Sequence, residues 1–220
     1  MDDLLACDIG INGLKTACKE RGNMKIALVD MESRCGESEK NCDKICGYIE
    51  KAGREGVAFI VFPEAALTGY CLSHAKETAL PSDHALAEKL RQTAKLFHVT
   101  AAVGMAERGS DAFWITQLVC GADGTLGVYR KTHLGSREKA VFSAGDALPV
   151  FHDPIPFGIG ICYDMHFPEA AAAMRAQGAT LIVSPHAAPV KAGQRSEVWM
   201  KYMPARAYDN RVFVACCNMC

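Results

Sequence analysis

No stretch of this sequence is apolar for long enough to cross a bilayer as a helix. Its longest apolar runs, such as VAFIVF (57–62) and TLIVS (180–184), are strand-sized, against the roughly 20 residues that a membrane span needs. Net charge is nearly absent too: 24 Lys+Arg stand against 25 Asp+Glu, a formal charge of -1. Without a basic stripe there is no electrostatic footprint for nucleic acid, and without an acidic tail no solvating disordered segment. The N-terminus, MDDLLACDIG, is acidic and lacks a basic segment followed by an apolar one, so no secretory signal is expected. Internal repeats, low-complexity tracts and linkers are missing as well. The chain reads as a cytoplasmic protein with neither nucleic acid nor membrane as a partner.

Cysteine, by contrast, is plentiful, with 11 in 220 residues. The odd count and the lack of an export signal argue for reduced thiols rather than a disulfide framework. Two spacings, Cys42-x-x-x-Cys46 and Cys216-Cys217-x-x-Cys220, suit a metal on paper, but no closely spaced His–Cys pair accompanies either. Cys42 and Cys46 fall one helical turn apart in an amphipathic pattern. Cys216 and Cys217 extend the apolar strand VFVACC, where adjacent side chains face opposite ways. These cysteines are read as small core residues, and no metal site is expected.

From Met24 onward strands and helices alternate. MKIALV (24–29) and VAFIVF (57–62) read as buried strands, with a helix over 37–55 between them closed by Gly53 and Gly56. A second helix spans 82–97, with Ser82 or Asp83 as its cap and Leu86, Leu90, Ala94 and Phe97 as its apolar stripe. Strands follow over 99–107, 113–120 and 125–130, the last two joined by the hairpin signal GADG. After a loop over 131–147 come a strand (157–162), a helix (168–177), a strand (179–184), a helix (195–209) and a last strand (211–217). Continuous apolar strands interleaved with helices imply sheets covered by helices. Residues 1–23 stand apart as an N-terminal extension with a short helix, and 24–220 form the one domain.

Three strands end on a reactive side chain: FIVFPE on Glu64, GVYRK on Lys131 and GIGIC on Cys162. Active sites of α/β proteins gather beyond strand ends, so the three can share a pocket. The chemistry is coherent. A thiol needs a base to become a nucleophile, a carboxylate can take its proton, and an ammonium can stabilise the oxyanion formed by attack on a carbonyl. Each residue alone has a plainer reading: a surface carboxylate, a solvated lysine and a buried strand cysteine.

The segments FPEAALTGY (62–70), YRKTHL (129–134) and GIGICYDMHFPE (158–169) resemble, in order and separation, the three signature segments of the nitrilase, or carbon–nitrogen hydrolase, superfamily. The resemblance runs over about residues 24–218, through GATLIVSPHAAP (178–189) and PARAYDNRVFVACCN (204–218). It implies an αββα layered sandwich, usually paired with a second subunit as a homodimer, and no metal or organic cofactor. It would make Glu64 the general base, Lys131 the oxyanion stabiliser and Cys162 the nucleophile of a thioester mechanism. Glu138, in REKAVFSAG (137–145), matches a second glutamate that positions substrate and lysine. Tyr163 is expected to contribute its backbone N–H, and Tyr70 and His186 to contact substrate. Asp164 is expected to tie down a turn rather than react. Where the sequence stops, at CCNMC, family members usually continue through further strands, so the second sheet is expected to lack its C-terminal strands.

The reaction expected is hydrolysis of a small amide or N-carbamoyl compound with release of ammonia or an amine, since CYD after the strand is closer to the amidase and carbamoylase branches. A small nitrile is the enzymatic alternative. A catalytically silent fragment acting as a binding module is the alternative of another class, and a thiol-based metal or redox protein is the third.

Overall fold

A computed structural model describes residues 4–9, 24–188 and 194–220. The chain forms β1 (Leu4–Ile9), β2 (Met24–Val29), α1 (Ser38–Arg54), β3 (Phe59–Val61), α2 (Ala75–Thr78), α3 (Ala85–Leu96), β4 (Thr100–Arg108), β5 (Phe113–Cys120) and β6 (Leu126–Arg130). It continues through β7 (Val150–Phe151), β8 (Phe157–Ile159), α4 (Pro168–Ala176), β9 (Leu181–His186), α5 (Gln194–Trp199), α6 (Met203–Asn210) and β10 (Phe213–Asn218). One sheet has the order β1-β2-β3-β4-β5-β6 and the other β10-β9-β8-β7. The β2/β3/β4 and β8/β9/β10 pairings are parallel, whereas β1, β5, β6 and β7 join antiparallel.

Alternation along the strands builds the layers. In β3, Phe59 and Val61 face the second sheet while Ile60 faces α1 and α3. In β9, Leu181 and Val183 face the first sheet while Ile182 meets α4 and α6. Three apolar layers result. The outer two pack Ile45, Ile49, Leu90 and Ala94 on one sheet and Ala171, Met174 and Met203 on the other. The middle one joins the sheets, with the Phe59 and Phe157 rings 4.5 Å apart between centroids. Burying one such ring stabilises the fold by about 1.5–3 kcal/mol. The protein is thus an α/β sandwich of αββα type.

Several local expectations change. The short helix expected in 1–23 is a strand over Leu4–Ile9, antiparallel to β2; the rest of that segment lies outside the described residues. The cap of α3 is His84, whose ring accepts from the Leu86 N–H at 3.2 Å, rather than Ser82 or Asp83. The helix expected over 195–209 is broken into α5 and α6, with Pro204 in the first turn of α6, a position where its missing N–H costs nothing. The strand expected to run through Cys162 ends at Ile159, and Cys162 opens a 3-10 turn, Cys162–His166.

Candidate active site

Glu64 is placed by a stopped strand. Phe62 extends β3 with a bond from its N–H to the Ala102 carbonyl; Pro63, having no N–H, cannot continue it. The turn that follows sits directly on Gly104 of β4. A Cβ there would lie 2.3 Å from the Pro63 oxygen and 2.4 Å from the Ala65 nitrogen, so only glycine admits this approach. Gln117 adds a bond from Nε2 to the Phe62 oxygen at 2.9 Å. Lys131 follows β6 and still pairs with the sheet, N–H to the Ile115 oxygen at 2.8 Å. Cys162 lies just past β8 with φ of 45°. That left-handed conformation costs a non-glycine residue about 1–3 kcal/mol and is held there by its surroundings.

Glu64 and Glu138 converge on one buried lysine. The Lys131 Nζ donates to Glu64 Oε1 at 2.7 Å and to Glu138 Oε1 at 2.8 Å. Glu64 and Lys131 are each 1 % exposed. The other Glu64 oxygen accepts from the Ala187 N–H at 3.0 Å. Glu138 is held by Gly135 N–H on Oε2 at 2.6 Å and by the Tyr70 hydroxyl on Oε1 at 2.7 Å. Burial pushes the Glu64 carboxyl above its ordinary range, with Lys131 pulling the other way. Burial alone would lower Lys131, but the Glu64 charge, and then those of the thiolate and Glu138, outweigh it and raise it. The lysine is a fixed cation and not a base.

The Cys162 thiol, partly buried beside this cluster, makes no hydrogen bond among the described residues. Its coupling is through charge: burial and then Glu64 raise it to about 12, against Lys131 and Arg195. At neutral pH it is a protonated thiol that requires a base. The Tyr163 N–H sits at the start of the 3-10 turn, where N–H groups lack partners within the turn, and its side chain is 40 % exposed. A cavity of about 560 Å³ is lined by Thr132, His133 and Leu134, which follow Lys131 in the chain, by Lys139, Phe142 and Ala144, and by Tyr163 and Phe167 of the cysteine turn.

Asp164 ties these pieces together. Its carboxylate, fully buried, accepts from Tyr129 Oη (2.6 Å), the Ile161 N–H (2.9 Å), Thr132 Oγ1 (3.0 Å) and the His133 N–H (2.7 Å). It thereby fastens the cysteine turn to the segment carrying Lys131. His133, 3.2 Å from Asp164 through Nδ1, is raised by that contact. Arg206 fastens the far end of the turn through the Met165 and His166 carbonyls.

The two residues expected to contact substrate have partners within the protein. His186 is fully buried with both ring nitrogens taken: Arg195 donates to Nδ1 at 2.6 Å, and Nε2 lies 2.9 Å from Ser184 Oγ, which donates to the Gly160 carbonyl. Burial, then the Arg195 charge, hold its pKa well below the ordinary value, and no nitrogen is left for a ligand. Tyr70 spends its hydroxyl on Glu138. Burial raises its pKa, keeping it a donor and making it a positioning residue. Asp164 ties down its own turn as expected, through the Ile161 N–H; its reach to Tyr129, Thr132 and His133, and the parts played by Arg206, Gly104 and the Ala187 N–H, were not found from sequence. Only Asp164 carried a signal, its place right after Cys162 and Tyr163. Among the described residues, no group of three or more His, Cys, Asp or Glu is placed to hold a metal, and no helix is long and apolar enough to cross a membrane.

The profile of the carbon-nitrogen hydrolase family matches residues 25–220. A nitrilase from Pyrococcus abyssi is 32% identical over 197 residues, covering 86% of this chain and 72% of that protein. Omega-amidase NIT2-B of Xenopus laevis is 34% identical over 187 residues, covering 80% and 67%. Among solved structures, an amidase from Nesterenkonia sp. superposes with a TM-score of 0.80 at 28% identity, over 90% of this chain and 76% of that one. Another structure of that amidase shows acrylamide added to its active site cysteine.

Proposed function

The chain belongs to the carbon–nitrogen hydrolase family, and from that premise we propose that it hydrolyses a small amide or N-carbamoyl compound through a thioester on Cys162. The observation that carries this reading is the Lys131 ammonium fixed between Glu64 and Glu138, beside a thiol at a strained turn. Cys162 attacks the amide carbon while its proton passes to Glu64. The negative charge moves to the carbonyl oxygen, where Lys131 Nζ and the Tyr163 N–H receive it; one such donor typically contributes ~3–4 kcal/mol to the barrier. Glu64 then protonates the departing nitrogen, the C–N bond breaks, and ammonia or an amine leaves a thioester. Glu64 next takes a proton from water, whose oxygen attacks the thioester carbon. The carboxylic acid departs and the thiol regains its proton. Glu138 keeps Lys131 charged and aimed, and no cofactor enters.

A nitrile is the second reading, favoured by the relative named a nitrilase. The test is ammonia release from a panel of amides, N-carbamoyl compounds and nitriles, with Cys162→Ala as control. Turnover of amides or carbamoyl compounds that vanishes in the variant is expected; turnover of nitriles alone overturns the amide assignment. A silent binding module would release nothing from any of them.

The protein acts in the cytoplasm as a homodimer. Support for pairing comes from large exposed apolar side chains in the C-terminal part of the chain, Met200 just after α5 at 69 %, Tyr208 on α6 at 86 % and Phe213 on β10 at 43 %, since exposed apolar surface marks association. Light scattering of the purified chain checks this, and a monomer overturns it. The catalytic domain spans 24–220, with 1–23 as an extension.

A further inference from the structure

Cys35 and Cys71 lie outside the catalytic cluster. Cys35 is in the loop between β2 and α1, and Cys71 immediately follows Tyr70. The two loops are pressed backbone to backbone. The Gly36 N–H donates to the Thr68 oxygen at 3.3 Å. Gly69 has φ of +77°, and a Cβ there would lie 2.6 Å from the Cys35 Cα. Cys35 is exposed, Cys71 partly so, and both are free. The Cys71 sulfur lies 3.4 Å from Ser73 Oγ and 3.4 Å from His74 Nδ1, which are themselves 2.9 Å apart. The Cys35 thiol interacts with it as well.

We propose that Cys35 and Cys71 are a peroxide-oxidisable dithiol, a modification site that closes to a disulfide and reopens on reduction.

The neighbours divide the labour. The contacts from Ser73, then His74, then Cys35 bring Cys71 down to about 6. Burial, and then the contact with Cys71, push Cys35 up to about 11. Contact with Cys71 raises His74, which favours an imidazolium beside the thiolate. Among nearby charges, Glu77 raises both Cys35 and His74. Cys71 is therefore the attacking sulfur and Cys35 the resolving one. The Cys71 thiolate attacks one oxygen of hydrogen peroxide. The O–O bond breaks, the sulfur becomes a sulfenic acid, and the hydroxide released leaves as water with a proton from solvent. The Cys35 thiol gives up its proton and attacks the Cys71 sulfur; the S–O bond breaks and the departing hydroxide takes that proton as a second water. Two thiols and one peroxide become one disulfide and two waters. The new bond sits one residue from Tyr70, whose hydroxyl holds Glu138.

At pH 7 the thiolate fractions, discounted for the lower nucleophilicity of a weaker base, make Cys71 on the order of 100-fold faster than Cys162 toward peroxide. The experiment exposes the full chain to a small excess of hydrogen peroxide, caps free thiols with iodoacetamide and maps peptides without reduction. A Cys35–Cys71 linked peptide should form before Cys162 loses its thiol and should disappear on treatment with dithiothreitol. Cys35→Ser should leave a sulfenic acid at Cys71 that dimedone captures, and Cys71→Ser should leave Cys35 free. The proposal is overturned if no linked peptide forms in the unaltered protein, if Cys162 or Cys220 oxidises first, or if Cys35 oxidises as fast without Cys71. None of these outcomes depends on the amidase reading, because no substrate is turned over.

Discussion

Replacing Glu138 by Gln tests whether the second carboxylate acts on the chemistry or merely fills space. Oε1 accepts from both Lys131 Nζ and the Tyr70 hydroxyl, and Oε2 accepts from the Gly135 N–H. Glutamine has one oxygen for these three donors. If the oxygen stays with Lys131 and Tyr70, the amide NH₂ faces the Gly135 N–H, and a part-buried donor loses its partner at about 1–3 kcal/mol of stability. If it turns to Gly135, Lys131 loses a charge-assisted bond, and either way it loses one of the two negative charges that hold it. A hydrogen bond to a charged group is worth about 1.5–3 kcal/mol, which sets an expected fall in kcat of roughly 10- to 100-fold. The thiol moves the other way. Glu138 is one of the charges holding Cys162 up, so its removal eases ionisation, and alkylation of Cys162 by iodoacetamide should not slow. The assay is therefore paired: ammonia release on an amide substrate, and alkylation monitored at Cys162. A kcat within twofold of the parent in a folded variant refutes the role given to Glu138. Alkylation slowing in step with kcat refutes it too, since that marks a pocket that has simply lost its shape.

Asp164→Ala removes the acceptor for the Ile161 and His133 N–H groups and the Tyr129 hydroxyl; it should cost about 3–5 kcal/mol in denaturant unfolding, a large part of a typical ~5–15. Arg211, exposed after α6, has φ of 51°, so Arg211→Gly should relieve left-handed strain and raise Tm by about 2–4 °C in calorimetry. His186, held well below its ordinary pKa by burial and Arg195, gives stability that is present above the ordinary value of ~6.5 and is lost as pH falls below it, because only the unfolded state then takes the proton. Unfolding midpoints at descending pH should show this loss, and His186→Gln should flatten it. His133, raised by Asp164, contributes in the opposite sense and remains in both proteins.

Glu64 and Lys131 were legible because each strand that carries them ends visibly, one at a proline and the other at a shift from apolar to polar residues. Cys162 stood out for a related reason, although its strand stops three residues earlier than its apolar run suggests. That helices cover the sheets was legible because consecutive positions such as Phe59, Ile60 and Val61 are all apolar, as a sheet covered on both faces requires; the αββα order itself came from the resemblance. What holds the site was not legible, because its partners are far apart in the chain. The Asp164 bonds reach back to 129–133, the Tyr70 hydroxyl reaches Glu138 68 residues away, and Gly104 matters only because the Glu64 turn lies on it. The partners of His186 were hidden for the same reason. A histidine at a strand end suggests a pocket, and only the position of Arg195 shows its ring to be spent. The single helix expected over 195–209 ignored Pro204, whose place at a helix start was the available signal.

The resting charges explain why such a cysteine is harmless until substrate arrives. Direct transfer of a proton from a thiol near 12 to a carboxylate is uphill by the gap between their pKa values, which burial of the acceptor narrows. Each unit is about 1.4 kcal/mol. A free thiolate would also place a third negative charge beside Glu64 and Glu138, against one fixed cation. Attack on a carbonyl removes that difficulty. In the proposed mechanism, as the S–C bond forms, the charge leaves sulfur for the carbonyl oxygen, which would lie with Lys131 and the Tyr163 N–H rather than against Glu64. Proton transfer and bond formation are thus favoured together and disfavoured apart. It follows that thiol reactivity and turnover should separate in Glu64→Gln. That variant removes the strongest charge opposing ionisation of Cys162, so its thiol should titrate lower and alkylate at least as fast as the parent. Amide turnover should still fall, because no group remains to accept the thiol proton and return it to the leaving nitrogen. Slower alkylation in that variant would mean that Glu64 already draws the proton from the resting thiol, and the coupled step would be wrong.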